Sequence, residues 1–178
     1  MPIEEYAKEA PAVDGTPVLV EIKSTQSDIT GVGFFNVKRS DPMDRMFDES
    51  ENKVNNEYSL VSEGLIRVCD GRLSVSYEET AIEDVAGCTT VISFDISNPD
   101  CVTVERCGPL SSVFVISKGE RLFSVYSTPY GALDMCVYAK KVENCLTENG
   151  GTLMLDYAVE LKGLTAQRTR MEVKVREL

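Results

Sequence analysis

The chain has 178 residues, of which 43% are hydrophobic and 26% charged, and its formal net charge is -11. This length and composition fit a single ordered, soluble domain. Its 18 basic residues face 29 acidic ones and form no cluster with interleaved aromatics. Nucleic acid and anionic membrane surfaces are therefore not expected as partners, because both are bound through clustered basic side chains.

Features of targeting and of common catalytic chemistry are missing from the sequence. Residues 1–10 are acidic and lack the apolar stretch of a signal peptide, and no apolar run approaches the roughly 20 residues of a membrane-spanning helix. The six cysteines show no CxxC spacing, which favours reduced thiols in a cytoplasmic protein. Histidine is absent, so we expect no metal, no cofactor and no catalysis of the Ser-His-Asp or Cys-His type.

The first third of the chain contains one clear strand. Residues 1–16 form a polar lead, and apolar and polar side chains then alternate from Pro17 to Ser24, the pattern of a half-buried strand. Residues 26–56 form a long polar connection to the second strand. Within it, an Asp-Pro pair followed by apolar residues on one face predicts a short helix near 42–50. That helix would close one barrel end or bind a partner.

From Glu57 onward, strand-like runs follow one another at close spacing, separated by turn residues. This pattern is typical of an all-β sandwich or barrel. Short connections between neighbours favour an antiparallel up-and-down β-barrel of about eight to ten strands, since closure removes exposed sheet edges. We expect one barrel domain over residues 17–178, with a lumen wide enough for side chains or one small ligand.

The turns predict which residues face one another. A two-residue turn at Asp70-Gly71 pairs Gly64 with Tyr77, Ile66 with Val75 and Val68 with Leu73. A turn at residues 98–100 pairs Phe94 with Val104. A turn at 119–120 pairs Ile116 with Phe123 and Phe114 with Val125. A turn at 163–165 pairs Leu155 with Val173 and Glu160 with Arg168. The charged face of the last ribbon is expected in water. The 119–120 hairpin is apolar on both faces, which predicts a cover from the helix or from a second subunit.

Several short segments together carry a family resemblance. They are Glu63-Gly64, residues 76–80, Gly87 with Thr89, residues 106–108, residues 128–131 and residues 149–151. In their order and spacing they resemble the YwiB-like family, bacterial proteins of unknown function with a calycin-like β-barrel. The resemblance covers roughly residues 57–178. It implies the barrel and carries over no activity and no functional residue.

Two charged residues are predicted to point into the barrel. Glu79 continues the inward apolar row of the strand at 73–77, and the turn at Asp70-Gly71 would place it opposite Ser62. Arg106 extends the inward row of Val102 and Val104. Because a buried charge requires a counter-charge or a ligand, we expect Glu79 to pair with Arg106. The pair is either an ion pair that specifies one barrel end or a site for an anionic ligand.

Two tyrosines complete the candidate ligand-binding residues. Tyr77 lies opposite Gly64, where its ring would cover the gap left by the glycine. Tyr130 is expected at the tip of a type I turn over residues 128–131, where a rim aromatic could contact a ligand. On the outer face, Glu63 opposite Glu78 would repel each other unless a nearby arginine or a divalent metal relieved them, and the arginine is the preferred explanation.

Three classes of function remain after these exclusions. The first is a non-catalytic barrel that binds a small, partly apolar molecule near Tyr77, Glu79 and Arg106. The second is a protein interaction module or a homodimeric structural barrel with a filled core. The third, an enzyme that works through Glu79 with a tyrosine or lysine, is the least supported, because no recognised catalytic constellation is present.

Overall fold

A computed structural model describes residues 14–29, 54–80, 87–108, 111–128, 131–162 and 165–178. In this part of the chain ten strands form one antiparallel sheet. Their bounds are β1 Thr16–Asp28, β2 Val54–Cys69, β3 Arg72–Glu79, β4 Cys88–Asp95, β5 Asn98–Cys107, β6 Ser112–Ser117, β7 Arg121–Thr128, β8 Gly131–Asn144, β9 Gly151–Leu161 and β10 Thr165–Glu177. The all-β antiparallel prediction is confirmed, and the strand count is at the upper end of the predicted range.

The sheet is an up-and-down arrangement that curls into a nearly closed barrel. Strands that follow each other in sequence are neighbours from β1 to β6 and again from β7 to β10. The long ladder between β1 and β10, from Val18 with Glu177 to Asp28 with Gln167, joins these two meanders. Strands β6 and β7 therefore occupy the two ends of the sheet, although only a short turn separates them in sequence.

The barrel closes where the end of β6 meets the middle of β8. The Gly119 N–H donates to the Ala139 carbonyl oxygen at 2.8 Å, and Lys118 forms a parallel bridge with Ala139. A register shift between Ala139 and Lys141 marks the point where β8 stops pairing with β7. Within the described ranges no ladder joins β6 to β7, so the predicted hairpin at residues 119–120 is wrong. Its glycine turns the chain toward β8 instead.

As a result, Phe123 and Val125 lie on the outer face, although they were predicted to share the inward face of Phe114 and Ile116. The outer faces of β6 and β7 are not covered as predicted. The exposed fractions are 48% for Val113, 37% for Val115, 64% for Phe123 and 59% for Val125. The inward faces differ, since Ile116 is fully buried and Phe114 packs on the core. The apolar residues of this corner therefore form an exposed outer surface, which we call the corner patch.

The other predicted turns place side chains on the correct face, although two have the wrong register. The Asp70-Gly71 turn gives all three predicted pairs, with positive φ at both residues as a type I′ turn requires. The next turn lies at Ile96-Ser97, because the Asp95 carboxylate accepts hydrogen bonds from the Ser97 N–H and hydroxyl. Phe94 thus pairs with Val102, two residues from the predicted partner. A shift of two leaves each side chain on the same face.

The core consists of the inward side chains of all ten strands except β7, drawn from the alternating apolar rows. Its largest fully buried members are Ile22, Leu73, Ile92, Ile116, Met135 and Leu153. Leu155, Val173 and Val175 are also buried, so the direction predicted for the last ribbon is confirmed. Burial of these rows provides most of the driving force for folding.

The charged face of the last ribbon is buried, which contradicts the prediction that it faces water. Leu155 pairs with Met171 rather than Val173, and this shift places Arg168 opposite Ala158 and Glu160 opposite Ala166. Arg168 is only 4% exposed and Glu160 8%. The Arg168 guanidinium instead binds both oxygens of the Asp156 carboxylate, at 2.8 and 2.7 Å. Small alanines opposite the long side chains allow this close packing.

Some sequence predictions concern residues that the structure does not describe. The short helix near 42–50 lies outside the described residues, as do most of the polar lead and most of the 26–56 connection. Among the described residues, no helix is long and apolar enough to cross a membrane. All six cysteines are described, and they form no disulfide.

Candidate functional site

One row of residues across the barrel wall brings the candidate groups together. Tyr77 on β3 lies opposite Thr90 on β4, and Thr90 lies opposite Arg106 on β5. Glu79 ends β3 on the same inward face and is 3% exposed. The predicted inward directions of Glu79 and Arg106 are therefore correct. The predicted ion pair between Glu79 and Arg106 is present, at 3.4 Å. The predicted strand neighbour of Glu79, Ser62, is wrong, because the β2–β3 ladder ends at Gly64 and Glu79 pairs with Cys88 on β4.

The Glu79 carboxylate accepts hydrogen bonds from four donors. The Tyr58 hydroxyl donates to Oε2 at 2.7 Å, and the Thr90 hydroxyl donates to Oε1 at 3.0 Å. The Tyr77 hydroxyl and the Arg106 Nη2 each donate to Oε1 at 3.4 Å. A carboxylate has about four lone-pair positions. Three of the four donors bond to Oε1 and one bonds to Oε2, so Glu79 is well satisfied by its own neighbours.

The tyrosines around Glu79 are neutral donors at physiological pH. Burial, together with the adjacent Glu79 carboxylate, raises the pKa of the Tyr58 and Tyr77 hydroxyls well above the ordinary value near 10. Burial also raises the pKa of Tyr157, although its hydrogen bond with Thr169 acts in the opposite direction. Because their protons are held so tightly, these side chains are unsuited to act as general bases.

Arg106 is the group in this cluster with unused bonding capacity. Its single contact with Glu79, at 3.4 Å, is long compared with the two short bonds between Arg168 and Asp156. Its Nε–H is buried and has no hydrogen-bond partner among the described residues. A buried donor left in this way costs about 1–3 kcal/mol. Such orphan donors are uncommon in folded proteins.

The cluster forms one wall of a cavity of about 650 Å³ near one end of the barrel. The rest of its lining is largely apolar or hydroxyl-bearing. These residues are Ile22, Ser24, Gln26, Val104, Phe114, Tyr157, Thr169 and Met171. Asn56 and Glu57 also border it. A volume of this size lies within the range of ordinary small-molecule sites, so the core of the barrel is not completely filled.

Comparison with known proteins identifies the family. A family model described as a domain of unknown function, DUF1934, matches residues 45–173. The chain belongs to the DUF1934 family. The crystal structure of the ywiB protein from Bacillus subtilis is similar, with a TM-score of 0.66, 16% sequence identity and coverage of 92% of both chains. This confirms the resemblance to YwiB-like proteins. At this identity the likeness shows the shared fold, and no curated protein matches the chain.

Three of the four site residues predicted for this DUF1934 domain line the cavity. Glu79, Arg106 and Tyr77 all line the cavity, and Tyr77 also lies opposite Gly64 as predicted. A larger residue at Gly64 would collide with the Ser76 carbonyl oxygen, so the strand requires glycine there. Tyr130 lies outside the described residues. The predicted roles of all four in ligand binding stay predictions.

Sequence reasoning missed two residues of the site, Tyr58 and Thr90. The signal for Tyr58 was its even spacing from Leu60 on one strand, which places both on the inward face. It lies within the strand region predicted from Glu57 onward, but the predicted pairing with the next strand extended only to Ser62. Thr90 lies two residues before Ile92 and shares its direction in the same way.

The outer acidic pair does not form as predicted. Because the β2–β3 ladder ends at Gly64, Glu63 pairs with Leu19 on β1, and Glu78 pairs with Thr89 on β4. Their predicted direct pairing across the β2–β3 ladder is therefore wrong. In the described part of the chain no three metal-ligating side chains converge.

Proposed function

We propose that this domain is a non-catalytic binding barrel that holds a small, partly apolar molecule in the cavity beside Arg106. The observation that carries the proposal is a cavity of about 650 Å³ in which the polar cluster around Glu79 meets apolar walls. A second groove, of about 770 Å³, mixes exposed charges of both signs such as Lys23, Arg170 and Glu172. The cavity is the better candidate because its polar groups are buried and converge.

Catalysis is less well supported by the same geometry. Glu79 is held by four donors, and Tyr58 and Tyr77 keep their protons because burial raises their pKa. A general base needs an accessible lone pair and a pKa near the working pH. The cluster instead suits recognition, since its fixed donors and apolar walls can orient a ligand without reacting with it.

The binding proposal can be tested with a tryptophan placed on the cavity wall. The chain contains no tryptophan, so Phe114→Trp introduces a unique fluorophore at the cavity. We expect 1-octanol, as an uncharged amphipathic probe, to shift its emission to shorter wavelength in a saturable manner, because the bound probe displaces water from the indole. The measurement is a fluorescence titration, with circular dichroism to verify folding.

The matched control is Phe123→Trp, because Phe123 is 64% exposed on the outer face of β7. Its emission should show no saturable shift over the same range of octanol concentrations. A folded Phe114→Trp protein with no saturable response, or equal responses from the two variants, would contradict the binding proposal.

The corner patch supports a second proposal, in which two copies of the chain associate as a homodimer through this surface. It presents Val113, Val115, Phe123 and Val125 on β6 and β7, which are the two ends of the sheet. Exposed apolar side chains on sheet ends commonly mark association surfaces. We expect size-exclusion chromatography with light scattering to give twice the monomer mass, and Phe123→Glu to give the monomer. A wild-type protein that is monomeric at high micromolar concentration would rule out this interface.

A further inference from the structure

The inward side chains that line the cavity change from apolar to polar along the strands. On β1 the row runs from Ile22 and Ser24, which are buried, to Gln26, which is half-buried. On β5, buried Val104 is followed by Arg106, whose side chain is partly exposed. Residues two apart on a strand point to the same face, and all five of these residues line the cavity. Both rows therefore become more polar toward the end of the barrel.

Strand β2 shows the same gradient and fixes its direction. Leu60 is buried, whereas Asn56 is exposed and borders the cavity. The ladder between β1 and β2 pairs Ile22 with Leu60 and Gln26 with Asn56. The apolar ends of the two rows therefore lie side by side, and so do the polar ends.

The cavity thus has an apolar floor and a polar mouth. The floor is formed by Ile22, Val104 and Phe114, since Phe114 pairs with Val104 across the β5–β6 ladder. The mouth carries the side-chain amides of Gln26 and Asn56, which can each donate and accept hydrogen bonds. The rise along β1 from Ile22 to Gln26 is about 13 Å at the usual spacing of strand residues.

From this gradient we infer that the ligand is an elongated amphiphile, which binds with its apolar end on the floor and its polar group at the mouth. The inference rests on the proposed binding function and adds the chemical class and orientation of the ligand. An apolar end gains free energy by leaving water for the floor. A hydroxyl on the floor would lose its hydrogen bonds with water, because Ile22, Val104 and Phe114 offer no polar side-chain atom. The reverse orientation is therefore disfavoured.

The first test compares 1,2-octanediol with its isomer 1,8-octanediol in the unaltered protein. Both hydroxyls of the 1,2-isomer can stay at the mouth, whereas the 1,8-isomer must place one of them on the floor. Half-saturation by the 1,8-isomer should need a concentration at least about fivefold higher, because the buried hydroxyl has no partner. The measurement is an NMR titration that follows the methyl groups of Ile22 and Val104. The methyl groups of Val113, on the exposed outer face, are the control.

The outcomes of this comparison separate the two proposals. Saturable binding of both isomers at equal concentrations, or tighter binding of the 1,8-isomer, would overturn the amphiphile inference and leave the binding proposal intact. No saturable shift with either isomer would overturn both proposals.

A second test determines the orientation with two isomers of bromo-octanol. The bromine of 8-bromo-1-octanol is at the apolar end, and that of 2-bromo-1-octanol is beside the hydroxyl. Bromine quenches indole fluorescence only at short range, so tryptophans at the floor (Phe114→Trp) and at the mouth (Asn56→Trp) report on different ends. The 8-bromo isomer should quench the Phe114→Trp protein at least about twice as strongly as the Asn56→Trp protein, because the two levels are about 13 Å apart.

The 2-bromo isomer should show the opposite preference. Equal quenching of both variants by both isomers, or the reversed pattern, would overturn the inferred orientation. Circular dichroism verifies that each variant is folded. If the Phe114→Trp protein does not fold, the comparison of the two diols in the unaltered protein still decides the inference.

Discussion

Replacing Arg168 with methionine is expected to lower the free energy of unfolding by about 3–5 kcal/mol. Arg168 is 4% exposed and binds both oxygens of Asp156, whose side chain is 14% exposed. Glu160, 8% exposed, lies on the same face of the ribbon. Removing the guanidinium would take two short hydrogen bonds and the nearest counter-charge from the Asp156 carboxylate, in a poorly hydrated place. The measurement is urea unfolding followed by circular dichroism.

An exposed ion pair on the same strand provides the control. Arg176 contacts Glu21 at 2.8 Å, but the Arg176 side chain is 67% exposed. Arg176→Met should change the free energy of unfolding by less than about 1 kcal/mol, because water solvates the remaining carboxylate. Losses of equal size in both variants would show that the Arg168 pair is no more important than a surface contact.

Raising the pH from 9 to 11 is expected to reduce stability steeply. Burial raises the pKa of the Cys136 thiol to about 11, and the pKa values of Tyr58, Tyr77 and Tyr157 are also raised by burial. The unfolded chain therefore releases these protons at lower pH than the folded protein does. Their contribution to the free energy of unfolding is complete below the pKa of the unfolded chain. It is lost as the pH rises through the pKa of the folded protein. Each group contributes a slope of about 1.4 kcal/mol per pH unit.

The Cys136 thiol and the buried tyrosines are expected to affect stability over different pH ranges. The fall should begin near pH 9 with Cys136 and steepen above about pH 10 as the tyrosines join. Cys136→Ala should remove the first part, and Tyr77→Phe should reduce the later slope by about 1.4 kcal/mol per pH unit. Urea unfolding at intervals from pH 7 to 11, with reductant present, measures both slopes. A free energy of unfolding that stays constant across this range would disprove the assignment.

The two-residue alternation of the sequence was sufficient to predict the barrel and the direction of most side chains. Pairing errors occurred in steps of two, at the turn after Phe94 and in the β9–β10 ribbon. Such shifts preserve the face of each side chain. The inward directions predicted for Glu79 and Arg106 are therefore correct even though some of the strand pairs are not. The Asp70-Gly71 turn was predicted correctly because two residues with positive φ leave little choice of loop length.

Alternation could not predict contacts that depend on the exact register of two strands or on strands far apart in the sequence. The hydrogen bond from Tyr58 to Glu79 joins β2 to β3 beyond the end of their ladder. The burial of Arg168 depends on its position opposite Ala158, and the predicted register, shifted by two residues, placed Glu160 there instead. The turn after β6 looked like a hairpin, but Gly119 bonds to Ala139, which lies outside any local pattern. Closure of the barrel is a property of the whole chain.

The ladder between β1 and β10 has a consequence for how the molecule forms. It is the hydrogen-bonded connection between the two meanders, and it pairs Val18 with Glu177, near opposite ends of the described chain. During synthesis, β1 cannot pair with β10 until β10 has left the ribosome. Until then one edge of β1 is unpaired and can bind other chains. Native pairing with such large sequence separation also slows folding. We therefore expect the barrel to close late and slowly, and we expect the N-terminal half of the newly made chain to be most prone to aggregation.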